Sequence, residues 1–198
     1  MLKGTNVVVF DCETVNPVDG FEITWDDHAK MGISVACMYD FKTDDFSVHL
    51  EHADIDRMVD RFKTADLVVA FNSKGFDNKL LRAHGHEVDE ANHFDMLEAS
   101  RRAAGWTEGA LYPKGLRLDD HLSAMFGESN MKTMAGEQAP LLWKQGRKSE
   151  VISYCLADVK RERDLFIHMM MYGWVETAMH GRKFIDRATV AKKVWGRQ

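Results

Sequence analysis

An α/β fold, a mixed β-sheet flanked by α-helices, is predicted by three observations. Two short, almost wholly apolar runs, Val7-Val8-Val9-Phe10 and Leu67-Val68-Val69-Ala70-Phe71, have the composition of strands buried on both faces. Between them, Gly32 to Tyr39 and Phe46 to Leu50 read as two more strands joined by the polar turn Lys42-Thr43-Asp44-Asp45. From residue 50 onward, stretches with helical spacing alternate with strand-like ones.

Taken in order, the first apolar run ends at Asp11. Residues 14–30, polar and punctuated by Asn16-Pro17 and Asp19-Gly20, form a loop or insertion. Ile55, Met58, Val59 and Phe62 mark one face of a helix with Asp54 as its N-cap. After the second apolar strand, a helix is expected from about Lys74 to His84, stopped by Gly85. His93-Phe94 opens a short strand, Met96 to Ala103 and Leu118 to Phe126 are helices, and 105–115 is a loop. The last long helix is expected to begin near Ser149 and run to about Met171, burying Ile152, Cys155, Leu156, Val159 and Phe166.

With 198 residues, 45% hydrophobic and 29% charged, the chain suits one domain able to bury a core without staples. No apolar run approaches the ~20 residues of a membrane span. The N-terminus lacks signal-peptide anatomy, and Cys12, Cys37 and Cys155 are odd in number and widely spaced. A cytoplasmic protein with reduced thiols is therefore expected. The net charge of −5 is unevenly spread: residues 172–198 carry six Lys/Arg against Glu176 and Asp186, a net +4 that leaves −9 on the rest. Residues 1–171 are accordingly read as the working domain and 172–198 as a basic extension packed on it. A protein that grips long duplex is usually basic over a whole face; this balance suits instead one that holds a few nucleotides at a strand end and whose acidic residues hold cations.

Asp11-Cys12-Glu13 ends the first strand, and strand alternation puts Asp11 and Glu13 on one face. Two carboxylates backed by apolar residues are costly without a compensating cation, and oxygen donors of this kind suit Mg²⁺ or Mn²⁺. Asn72-Ser73-Lys74-Gly75-Phe76-Asp77 follows the second buried strand and places Asp77 early in a helix. Tyr154 and Asp158 stand one helical turn apart, at the margin of the apolar stripe. Each motif alone is common. Their order and their placement on strand, strand-to-helix junction and late helix make them informative.

In that order they resemble the DEDD exonuclease superfamily, which has a ribonuclease H-like fold. Phe-Asp-Cys-Glu-Thr at 10–14 is similar to its first motif, Asn72-x-x-x-Phe76-Asp77 to its second, and Tyr154-x-x-x-Asp158 to its third in the tyrosine form. The histidine form would need His at 153, which is Ser153. The resemblance runs from about Asn6 to Leu165 and implies a 3′-5′ exonuclease that releases nucleoside 5′-monophosphates. It also implies two divalent ions, Mg²⁺ or Mn²⁺, ~3.5–4 Å apart. Asp11 would bridge both, Glu13 and Asp158 would complete one site and Asp77 the other. Tyr154 would orient the attacking water, since a phenol of ordinary pKa, ~10, is a poor base at pH 7.

Thr14, Asn72, Lys74 and Phe76 are the expected substrate contacts. The aromatic run Phe21 to Trp25 either stacks on a terminal base or packs over the core, packing being favoured. Lys132, Arg147 and Lys148 could steer phosphates. The expected substrate is the 3′ end of single-stranded or frayed nucleic acid, DNA slightly ahead of RNA, and any polymerase partner would act in trans. A catalytically silent binding module and a ribonuclease H-like endonuclease remain alternatives. The nine histidines read as scattered surface residues, and Trp195 as part of a tail that guides nucleic acid or docks a partner.

Overall fold

The computed structural model describes residues 2–127 and 134–195. A five-stranded mixed sheet forms its centre, in the order β3-β2-β1-β4-β5. The strands are β1 (Val7–Thr14), β2 (Ile33–Asp40), β3 (Asp45–His49), β4 (Leu67–Ala70) and β5 (His93–Asp95). β1 pairs antiparallel with β2 and parallel with β4, so the parallel half carries the two apolar runs. Helices cover both faces, as predicted.

Strand alternation builds the two cores. Val7 and Val9, with Cys37, Leu67 and Val69, face one core that includes Cys155, Val159 and Phe166. Those three lie on α7 (Lys148–Tyr172), which is the predicted long helix begun one residue early. Val8, Phe10 and Cys12 face the other core, filled by Ile55, Met58, Val59 and Phe62 of α2 (His52–Thr64) and Leu80 and Leu81 of α3 (Asp77–Ala83). Complete burial of a leucine or phenylalanine here contributes about 1.5–3 kcal/mol.

Several boundaries differ from expectation for local physical reasons. β1 continues through Asp11 and Glu13 to Thr14, because β2 pairs with it that far. A short α1 (His28–Met31) begins inside the expected 14–30 loop and runs one residue past it. Asp54 is not the N-cap of α2; Glu51 is, and Asp54 sits in the first turn, ion-paired with Arg57. α3 starts at Asp77 rather than Lys74, since residues 72–76 are held in a turn.

The buried stripe of α7 is also rotated from the one that hydrophobicity suggests. Ile152 and Leu156 are only partly buried, whereas Val151, Tyr154, Asp158, Glu162 and Leu165 are buried. Polar residues occupy core-facing positions, and a count of apolar side chains is misled by them.

The remaining helices are α4 (Met96–Ala103), α5 (Leu118–Phe126) and α6 (Ala139–Lys144), the last outside any predicted element. Residues 174–184 form a hairpin, β6 (Trp174–Thr177) and β7 (Gly181–Phe184), followed by α8 (Ala188–Trp195). Val175, Ile185 and Val190 join the same core as α7, and Trp195 packs against it. Packing thus accounts for that tryptophan. All three cysteines are buried and free. Among the described residues no helix is long and apolar enough to cross a membrane.

Two buried histidines are expected to lower the fold's stability in acid. His93 lies edge-on to Phe10 and Phe62, and His121 edge-on to Phe71. Burial lowers each imidazole from its ordinary 6.5 to about 4. A depressed folded-state value means stability present above pH ~6.5 and lost as pH falls toward 4, by about 2 kcal/mol per histidine at pH 5. The urea midpoint should therefore drop clearly between pH 7 and pH 5. An unchanged midpoint would contradict this account.

Candidate active site

Val7, Val9, Asp11 and Glu13 share one face of β1, and that face looks toward α7. The carboxylates of Asp11, Glu13 and Asp158 meet there with ligand oxygens all within 4.8 Å of one another. Asp11 and Glu13 are half-buried and Asp158 is buried. The β1–β2 ladder slips between Glu13 and Thr14, a bulge of the kind that re-aims side chains beside active sites. Beneath Asp11, the Cys155 thiol donates to its carbonyl at 3.4 Å and to its carboxylate at 3.7 Å. Burial and the neighbouring carboxylates hold the Cys12 and Cys155 thiols well above the usual thiol range, so neither is a thiolate nucleophile.

Asp77 is brought to the same region by a different route. β1 pairs with β4 only through Val9, and β4 ends at Ala70. Beyond that point the Cys12 amide donates to the Asp77 carboxylate at 3.2 Å. Asp77 is buried but does not belong to the three-carboxylate group. The site lies at the carboxyl ends of adjacent parallel strands, the usual ligand-binding edge of an α/β sheet.

The turn between β4 and α3 is tightly specified. Asn72 adopts the left-handed conformation, φ 71°, which asparagine tolerates better than most residues. Its carbonyl accepts from the amides of Gly75 and Phe76. A Cβ on Gly75 would stand 2.5 Å from the Asn72 side-chain oxygen, so only glycine leaves that side chain in place. Asp95 anchors the turn from below: one carboxylate oxygen accepts from the amides of Asn72, Leu97 and Glu98, the other from Lys74. Burial raises the Asp95 pKa, and those four amides pull it back.

On α7, Tyr154 is buried with its hydroxyl beside Gly136, 3.5 Å from where a Cβ there would stand. Asp158 also accepts from Arg161 at 2.8 Å, a nearly buried ion pair one turn along. Glu162 follows on the same buried face and accepts from the Phe71 amide at 3.2 Å, tying α7 to the end of β4. Sequence reasoning missed Asp95, Arg161 and Glu162. The spacing of Asp158 and Glu162, four residues apart on one helix, was the one available signal.

Two clefts meet along residues 135–138. One, about 850 Å³, is lined by Glu13, Thr14, Trp25, Phe76 and Leu141. Trp25 stands edge-on to Phe76 with centroids 6.0 Å apart. Trp25 is 63% and Phe21 93% exposed; of the aromatic run's apolar residues, only Ile23 packs against a core, so the packing expected of the aromatics fails. The other cleft, about 1180 Å³, is lined by Asn72, Arg101, Lys114 and Arg117 together with Asp119 and Asp120. Its basic residues were not singled out from sequence.

Of the residues that were, Lys74 is not brought to either cleft; it pairs with Glu98 at 2.7 Å. Arg147 pairs with Glu150, and Lys148 lies over the Trp143 ring. Lys132 lies outside the described residues.

A family model described as the RNase H superfamily matches residues 10–170. Among solved structures, the family B DNA polymerase from the hyperthermophilic archaeon Pyrobaculum calidifontis is similar, with a TM-score of 0.57 and 18% identity over 83% of this chain. The match covers 24% of that polymerase, so the chain spans about a quarter of its length, and the likeness is one of fold. No curated protein sequence gives a significant match.

Proposed function

The chain belongs to the RNase H superfamily, and from that premise we propose a 3′-5′ exonuclease of the tyrosine-bearing DEDD group acting on single-stranded or frayed ends. The observation that carries this reading is the convergence of Asp11, Glu13 and Asp158, from two elements far apart in sequence, within 4.8 Å. Three carboxylates so close favour a shared cation, beyond the Arg161 guanidinium that meets Asp158 on one side. Their hard oxygen donors fit Mg²⁺ or Mn²⁺, with Asp11, Glu13 and Asp158 as ligands and Asp77 available to a second ion. Bound there, divalent ions would activate water and stabilise charge on the phosphate and the departing 3′-oxygen.

The protein's own groups supply position. Tyr154, fixed by burial beside Asp158, offers a hydroxyl to orient water. Asn72, held in its strained turn, faces the basic cleft and can bond the backbone of the strand. Trp25 and Phe76 offer a stacking wall to the terminal base, and Thr14 lines the same cleft. Lys114, beside Arg101, which lies over the Tyr112 ring, and Arg117, which is paired with Asp120, lines the cleft that would take the phosphates that follow. The likeness to a DNA polymerase fold makes DNA the first polymer to test and a polymerase in trans a natural partner.

The test uses matched 5′-labelled DNA and RNA oligonucleotides with added Mg²⁺ or Mn²⁺. A ladder shortening from the 3′ end, with nucleoside 5′-monophosphate released, is expected. Cleavage of a circular strand would indicate an endonuclease, and binding without cleavage a silent module; either sinks the reading. Trp25→Ala should raise KM about tenfold with kcat little changed, since base–aromatic stacking contributes about 1–3 kcal/mol and acts here on binding. A KM equal to the parent's would remove Trp25 from the substrate cleft.

A further inference from the structure

His52 and His86, read from sequence as scattered surface residues, meet in the fold. His52 opens α2, Asp56 follows one turn later on the same face, and His86 comes from the connection after α3. The chain reaches that position through Gly85, whose φ of 87° reverses its direction, and the His86 amide is fixed by a hydrogen bond to the Leu81 carbonyl. His86 Nδ1 lies 2.7 Å from one Asp56 oxygen, and His52 Nε2 lies 3.6 Å from the other. The two imidazoles stack with centroids 4.3 Å apart. One ligand atom from each of the three residues lies within 4.8 Å of the other two.

We propose that His52, Asp56 and His86 form a site for a borderline divalent transition metal, of which Zn²⁺ is the type. Two nitrogens and one carboxylate are the donor set such ions select, unlike the all-oxygen cluster of Asp11, Glu13 and Asp158. The spacing is right: bonds of ~2.0–2.1 Å at tetrahedral angles put neighbouring donors roughly 3.3 Å apart. The imidazole nitrogens lie 2.7 and 3.6 Å from different oxygens of Asp56, all three ligand atoms lie within 4.8 Å, and the exposed His52 ring closes the set by turning out of its stack on His86.

His86 is the preorganised ligand, its side chain 1% exposed. Its Nε2 is buried with no hydrogen-bond partner among the described residues, so the ring's polar contact is made on the Nδ1 edge facing Asp56. His52 and Asp56, 64% and 49% exposed, can adjust around it and leave a fourth position open to water. Bound through Nδ1, the neutral His86 ring carries its proton on Nε2, so the metal takes the place of the hydrogen bond between His86 Nδ1 and Asp56. Filled, the site clamps the start of α2 to the far end of α3, the helix whose first residue is Asp77. The inference does not depend on the nuclease reading.

The experiment adds Zn²⁺, and separately Co²⁺, to the full chain in a large excess of Mg²⁺, which oxygen clusters accept and imidazole sites do not. In the parent, Zn²⁺ is expected to raise Tm by several degrees at one ion per chain, and Co²⁺ to give a visible absorption band. His52→Ala, an exposed change that the fold tolerates, should abolish both while leaving the metal-free Tm near the parent's, and Asp56→Asn should weaken binding at least tenfold. Repeating the titration in Asp158→Asn separates the two acidic sites: the zinc response persists there if the inference holds. A response equal in parent and His52→Ala, one lost in Asp158→Asn, or no response in the parent would overturn it.

Discussion

Replacing Asp11 by asparagine is expected to lower turnover on a 3′-ended strand about a thousandfold or more, while leaving the metal-free protein within about 1 kcal/mol of the parent. The two effects separate because Asp11 is one of three carboxylates within 4.8 Å. Losing its charge removes the ligand proposed for the cation and also removes one of three like charges held close together. Asparagine keeps the backbone carbonyl and a side-chain oxygen for the Cys155 thiol.

Asp158→Asn should behave differently. Asp158 also balances the nearly buried Arg161, so its neutralisation costs stability as well as turnover, by about 2–4 kcal/mol. Steady-state rates on protein purified free of host nuclease, with urea unfolding of both variants, test the pair. Substantial hydrolysis by the Asp11 variant would end the proposed mechanism.

The second large effect is expected outside the carboxylate cluster. Asp95→Ala removes the acceptor of four backbone amides, two of which belong to the turn that carries Asn72 and leads to Asp77. Leaving buried donors unpaired costs about 1–3 kcal/mol apiece, partly recovered by water, so a net loss of roughly 3 kcal/mol is expected. Turnover should fall with it, because Asn72 holds its left-handed backbone only while its amide is anchored.

Asp95→Asn makes the distinction sharper. Its retained oxygen still serves Asn72, Leu97 and Glu98, while the amide group set against the Lys74 N–H loosens the turn. That variant should keep most of its stability and lose activity. Equal activity in Asp95→Asn and parent, with both fully folded, would show that the turn needs no such anchor.

Residues near the site show which layer of information each depended on. Asp11 and Glu13 were legible because strand alternation is rigid: a carboxylate two residues from another must share its face. Tyr154 and Asp158 were legible as a pair because four residues make about one helical turn. Their depth was not. Hydrophobic periodicity assigned Ile152 and Leu156 to the core, whereas the fold turns that face of α7 partly outward and buries Tyr154, Asp158 and Glu162 instead. Polar groups gathered at one place can be buried by their own hydrogen bonds and ion pairs, which a pattern of apolar residues cannot register. Lys74's surroundings were not legible for a further reason: its partner Glu98 lies 24 residues away, and only folding sets them 2.7 Å apart.

The sequence by itself determined the α/β class and most of the elements from β1 to α7, as consequences of local periodicity, and it set out in order the three motifs whose resemblance to a family raised the functional expectation. Tertiary structure alone decided that three carboxylates converge while Asp77 turns to the Cys12 amide. It also decided that Trp25 stays in solvent beside Phe76, and that His52 and His86, far apart in the chain, stack on one another. These depend on where the ends of separate elements come to rest. That is a property of packing between elements, and packing is set by the whole core at once rather than by any window of the chain.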